Sequence, residues 1–142
     1  EHYAIDITNV IEIIGIQKIT RMPQQPSYMN GVINLRDRII PTIDVRARFL
    51  KDRIEYDERT CIIVTKVEDT VMGLIVDRVD EVMTIPEQNI SSPPSVYENE
   101  NGRFISGIAK SNKNIIMLVS SEMILSGDEI RETELLLNKA CS

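Results

Sequence analysis

At 142 residues the chain fits one domain, long enough to bury a core without disulfides or metals. It has no tryptophan and only 4% aromatics, so Ile, Val, Leu and Met must fill that core and stacking platforms for bases or sugars are scarce. With 22 acidic against 16 basic side chains, a formal charge of -6, the chain as a whole repels a phosphate backbone.

The sequence opens at Glu1 and runs at once into the alternating segment Tyr3-Ala4-Ile5-Asp6-Ile7, a strand whose beginning is expected in a longer original protein. Ile7 to Met22 reads as either a helix or strands; its β-branched content favours mostly strand, with a helical turn near Thr8. Pro23-Gln24-Gln25-Pro26-Ser27 marks a loop. Next comes GVINLRDRIIPTIDVR, Gly31 to Arg46, where Ile33 and Leu35 and then Ile43 and Val45 alternate with polar residues. That is a hairpin with one core face and one face for solvent or chemistry, its turn lifting Arg36, Asp37 and Arg38 into water. Pro41 in the second arm predicts an edge strand or a bulge. Arg36, Arg38, Arg46 and Arg48 make the densest basic spot, equally a solvated strand face or a protein-binding patch.

A short helical turn is expected within residues 46–53, then a charged loop at 55–59. Thr60 to Val67 and Val71 to Ile85 read as strands around a tight turn, with Met72 to Val76 continuously apolar and so buried on both faces. Residues 86–103 read as a long loop, followed by strands over 104–110 and 114–120. Ser126-Gly127-Asp128-Glu129 matches a capping box, with Leu125 and Ile130 placed as a hydrophobic staple. Ile130, Thr133 and Leu137, with Leu136 and Ala140 alongside, form the stripe of a helix over about 126–140 that should pack back on the strands; Leu135 to Leu137 is apolar enough for a partner to cover part of it. The pattern is all-β, a barrel or sandwich with one terminal helix. The longest apolar run, Ile115 to Val119, is far shorter than the roughly 20 residues of a membrane span, and no secretory leader is visible.

Chemistry-bearing groups are not assembled. The single histidine, His2, sits at a terminus expected to fray, and no serine or threonine has a histidine base. Asp44 and Asp77 are conceivable paired carboxylates, but better read as carboxylates accepting from nearby arginines. Cys61 and Cys141 lack CxxC spacing and fit a reducing compartment. Asp57-Glu58 and Asp128-Glu129 lack the ligand alternation of a calcium loop, and no glycine-rich turn leads into a helix. No catalytic residue, metal site or cofactor is expected.

Four blocks in order, GVINLR, IIPTIDVR, GLIVDRVDEV (Gly73 to Val82) and ISGIAK (Ile105 to Lys110), cover nearly the whole chain and resemble the CheW family, the coupling adaptors of bacterial chemotaxis. The resemblance implies one CheW-like domain over residues 1–142, made of two interleaved, packed, five-stranded SH3-like β-barrels with a hydrophobic groove between them. It implies a non-enzymatic cytoplasmic adaptor, recruited to receptor arrays at the inner face of the membrane, that couples chemoreceptors to a CheA-like histidine kinase. The positions matching the family's receptor-binding surface are Val10, Arg36, Cys61 and Val82; those matching its kinase-binding surface are Glu12, Ile19, Asn30 and Gly31. Read without the family, Val10, Cys61 and Val82 are ordinary core, and Gly31 is a close-approach glycine, a positive-φ glycine or a plain loop terminus.

One departure is Asp37, where CheW-like sequences usually have glycine after NLR. It predicts an altered turn or a pairing of Asp37 with Arg36 or Arg38. The alternative within the fold is a CheW-like domain cut from a CheV-type adaptor-receiver fusion or from the kinase itself; the helix-bearing end at Ser142 favours a stand-alone adaptor. Outside it stand a small-barrel enzyme, marked by a tight ligand with turnover, and a nucleic-acid-binding barrel, marked by salt-dependent binding.

Overall fold

A computed structural model describes residues 2–50, 55–92, 105–112, 114–120, 124 and 127–141. The described residues form nine strands and two helices: β1 His2–Ile5, β2 Val10–Gly15, β3 Gly31–Leu35, β4 Arg38–Asp44, α1 Val45–Leu50, β5 Cys61–Val67, β6 Thr70–Val76, β7 Ile90–Ser91, β8 Ile105–Ser111, β9 Asn114–Val119 and α2 Gly127–Cys141. The mainly β class with a C-terminal helix is the one the sequence predicts. The chain divides into two units. One takes residues 1–8 and 80–124, the other 9–79 and 125–142.

The first unit carries a sheet of order β1-β9-β8-β7. β1 lies parallel to β9, with His2 opposite Ile116, so His2 is held in a ladder where fraying was expected; its Nδ1 is 3.9 Å from Asp80. After β1, Asp6 Oδ1 accepts from the amide and hydroxyl of Thr8 (2.8 and 2.6 Å), making the helical turn Ile7–Asn9. These donors favour the charged form and hold the Asp6 carboxyl below its ordinary pKa. Residues 86–103 are not wholly loop: a 3-10 turn at Glu87–Asn89 leads into β7, which pairs with β8.

The second unit carries a five-stranded sheet of order β2-β5-β6-β4-β3. Ile33, Ile40, Ile62, Val64 and Ile75 form its core, with Ile14, Ile16, Ile19, Leu35 and Val71 packed around them. The chain beyond β2 reaches the far edge of the sheet, where Thr20 and Val32 exchange both backbone hydrogen bonds at 2.8 Å. One bridge thus links the chain that follows β2 to the outer edge of β3.

β4 corrects two expectations. It is an interior strand, between β3 and β6, although it contains Pro41. Val32, opposite Pro41, spends its backbone groups on Thr20, and pairing with β6 begins only at Thr42, so the missing proline N–H is needed on neither side. From Ile40 to Asp44 both faces of β4 are buried, because α1 and α2 pack on the strand. The expected solvent face is confined to the turn end.

β6 is buried from Met72 to Ile75, between β5 and β4, as its apolar run predicts. It ends at Val76, however, and residues 77–86 form no strand, since no neighbour offers a ladder beyond that point. Along α2, Ile130 and Thr133 are buried. Tyr28 Oη and Thr133 Oγ1 both donate to the Glu129 carbonyl at 2.9 Å, and Thr70 donates to Glu134, fastening the helix to its unit. Leu135 remains 62% exposed. The predicted capping box and staple involve Ser126 and Leu125, which lie outside the described residues.

Candidate functional site

The β3–β4 hairpin has two chemically different ends. At the tip, Arg36 and Asp37 have φ of 51° and 67°, the pair of positive values that a two-residue turn needs to match strand twist. Asp37 therefore stands where glycine would be unstrained. Among the described residues no bond joins it to Arg36 or Arg38, which corrects the predicted pairing. Arg36 instead reaches Glu12 on β2, Nη2 to Oε1 at 2.7 Å. With the arginine side chain 70% exposed, screening leaves this pair worth about 0.5 kcal/mol, so it orients groups more than it holds the fold.

The base of the hairpin is built differently. Gly31 is buried at φ 147°; a Cβ there would lie 2.6 Å from Ile19 Cγ2 and 2.7 Å from the Thr20 carbonyl oxygen. Of the readings open for Gly31, positive φ and close approach both hold, and the approaching backbone is the chain's own. Next to it, the Asn30 amide N–H donates to the Thr42 carbonyl at 2.8 Å, and Thr42 Oγ1 donates to the Gly31 carbonyl at 2.9 Å.

Asp44 ends β4 and caps α1, its Oδ1 accepting from the amides of Arg46 (3.0 Å) and Ala47 (3.3 Å). The same carboxylate accepts from the Arg46 guanidinium at 3.2 and 3.3 Å, and Arg46 also donates to Asp77, just past β6. Arg46 is thus 7% exposed and belongs to no solvated basic patch. Desolvation opposes its charge, but the two carboxylates outweigh that and hold its pKa above the ordinary value. Asp44 and Asp77 are joined through one arginine, the bland reading of these carboxylates, though Asp44 is buried rather than superficial.

The Tyr56 ring covers the Arg46 guanidinium at 5.5 Å. Its hydroxyl donates to Asp44 Oδ2 (3.4 Å) and accepts from the Asn30 side-chain amide. Burial, then the nearby Asp44 charge, pushes the Tyr56 hydroxyl pKa up. Sequence reasoning missed Tyr56 and the role of Arg46. The available signal was a lone aromatic in the charged loop that follows Asp-Val-Arg.

A family model described as CheW-like domain matches residues 1–129. The chain belongs to the CheW family. It is 34% identical to "Chemotaxis protein CheW" of Klebsiella aerogenes over 130 residues, 92% of this chain and 78% of that protein. To the protein of the same name from Bacillus subtilis it is 34% identical over 125 residues, 88% and 80% of the two chains. The solved scaffolding protein TtCheW from Thermoanaerobacter tengcongensis matches with a TM-score of 0.79 at 34% identity, over 89% of this chain and 86% of that one.

Laid on this fold, the positions drawn from the CheW resemblance regroup. Ile19, Asn30 and Gly31 come together at the hairpin base, with Ile19 half-buried against the core. Glu12 lies at the other end, paired with Arg36, roughly 17 Å away by the rise of the five residues from Gly31 to Arg36. Val10 pairs with Thr65 and Gly15 with Cys61, so Val10 and Cys61 mark opposite ends of the β2–β5 ladder, about 13 Å apart. Cys61 is half-buried and its Sγ is directed to the Arg59 carbonyl. Val82 belongs to the other unit and is 67% exposed. None of Val10, Cys61 and Val82 is fully buried core.

Proposed function

We propose that this CheW-like chain is a non-enzymatic adaptor that couples chemoreceptors to a CheA-like histidine kinase at the cytoplasmic face of the membrane. Val10, Arg36, Cys61 and Val82 contact the receptor tip; Glu12, Ile19 and Asn30 contact the kinase's regulatory domain, and Gly31 shapes the backbone between Ile19 and Asn30. The observation that carries this reading is the Arg36–Glu12 pair, which ties one residue of each set together on a single folded unit. A partner that engages Arg36 must compete with or reorient Glu12, so occupancy on one side has differential contact with the other. Such coupling is geometric and requires no chemistry on this chain.

The reading is tested by calorimetric titration with a receptor cytoplasmic tip and with a CheA-like regulatory domain. Saturable binding of both is expected, with Arg36→Ala weakening the receptor and Asn30→Ala weakening the kinase. A folded domain that binds neither would end the proposal. Gly31→Asp is a poor control, because its Cβ meets Ile19 and Thr20 and lost binding would report a distorted fold.

A further inference from the structure

We propose that Tyr56 is a positioning residue for kinase recognition: its hydroxyl fixes the Asn30 side chain so that the amide carbonyl, and not the NH2 group, is offered to the partner. This rests on the reading that Asn30 lies in the kinase-binding surface. A phenol has one proton to give. Asp44, ion-paired with Arg46, is acceptor-only in that state and takes that proton at 3.4 Å. Toward Asn30 the hydroxyl can then only accept, and only Nδ2 can donate to it. The flip of an otherwise symmetrical amide is thereby decided by a carboxylate it does not touch.

The rest of the base holds the relay still. The Tyr56 ring lies over Arg46, Arg46 is clamped by Asp44 and Asp77, and the Asn30 backbone is tied to Thr42. No hydrogen bond among the described residues uses Asn30 Oδ1, and Asn30 is half-exposed. The group that meets it is a donor on the kinase domain, a backbone N–H or the end of an Arg, Lys, Asn or Gln side chain.

The test is calorimetry of the intact domain with the kinase regulatory domain and, separately, the receptor tip. Tyr56→Phe keeps the ring on Arg46 and removes only the hydroxyl. It should shift the melting temperature by about 3 °C at most, weaken kinase binding about tenfold, roughly one well-placed hydrogen bond, and leave receptor affinity unchanged. Combined with Asn30→Ala it should lose no more than Asn30→Ala alone, since both remove one contact. Asn30→Asp, which keeps an acceptor but cannot donate to Tyr56, should lose as much as Tyr56→Phe. Parental kinase affinity in Tyr56→Phe, or losses that simply add in the double variant, would overturn the relay while leaving Asn30 in the surface. If Asn30→Ala itself binds the kinase as the parent does, the underlying assignment fails and the proposal goes with it.

Discussion

The two ends of one hairpin obey different economies of structure. At the base, Asp44, Arg46, Thr42, Asn30 and Tyr56 share several hydrogen bonds each, and Arg46 is almost wholly enclosed. At the tip, Arg36 holds one exposed ion pair and two consecutive residues sit at positive φ. Burial makes the Asp44–Arg46 pair intolerant, because a deleted partner leaves a charge with no water to turn to. Solvent makes the tip permissive, because water replaces what a substitution removes. Changes at the enclosed Asp44–Arg46 pair and at Gly31 should therefore appear as lost stability, whereas changes at the exposed tip cost the fold little.

The sharpest way to break this contrast is Arg46→Met. It leaves the buried Asp44 carboxylate unpaired and should cost about 3 to 5 kcal/mol in chemical denaturation; a cost below about 1 kcal/mol would mean the base is no more demanding than the tip. Gly31→Ala comes next, combining a positive φ with a Cβ pressed on Ile19 and the Thr20 carbonyl. A loss of roughly 2 to 3 kcal/mol is expected, and a neutral result would show that the strand shifts freely. The smallest effect belongs to the tip: Asp37→Gly relieves a left-handed residue and should raise stability by about 1 kcal/mol. If both stability and receptor affinity stay unchanged, the departure from glycine at that position has no physical consequence.

Where alternation coincided with local pairing, the sequence was readable. The β3–β4 and β5–β6 hairpins and β8–β9 were legible because each strand's partner follows it within a few residues. The continuation to Ile85 reads as strand from its apolar residues, but among the described residues nothing pairs with 77–86, and β6 stops at Val76. Arg46 looked like surface because its charge invites that reading; only the capping turn at Asp44 and the arrival of Asp77 from 31 residues on enclose it. The site was half legible. Resemblance supplied the residues, but the separation of Glu12 from Asn30 and the Tyr56 relay depend on strand order and on a loop without periodicity.

The pairing of His2 with Ile116 sets an order of events during synthesis. The first unit needs residues at both ends of a long sequence separation before its sheet is complete, and the second waits for α2 after its own strands are made. Closing such long loops is entropically slow, so the β4-centred sheet should form early and β1 should dock late. Until residues 114–119 emerge, a ribosome-bound nascent chain carries β1 without its β9 partner, a window in which another strand edge could capture it.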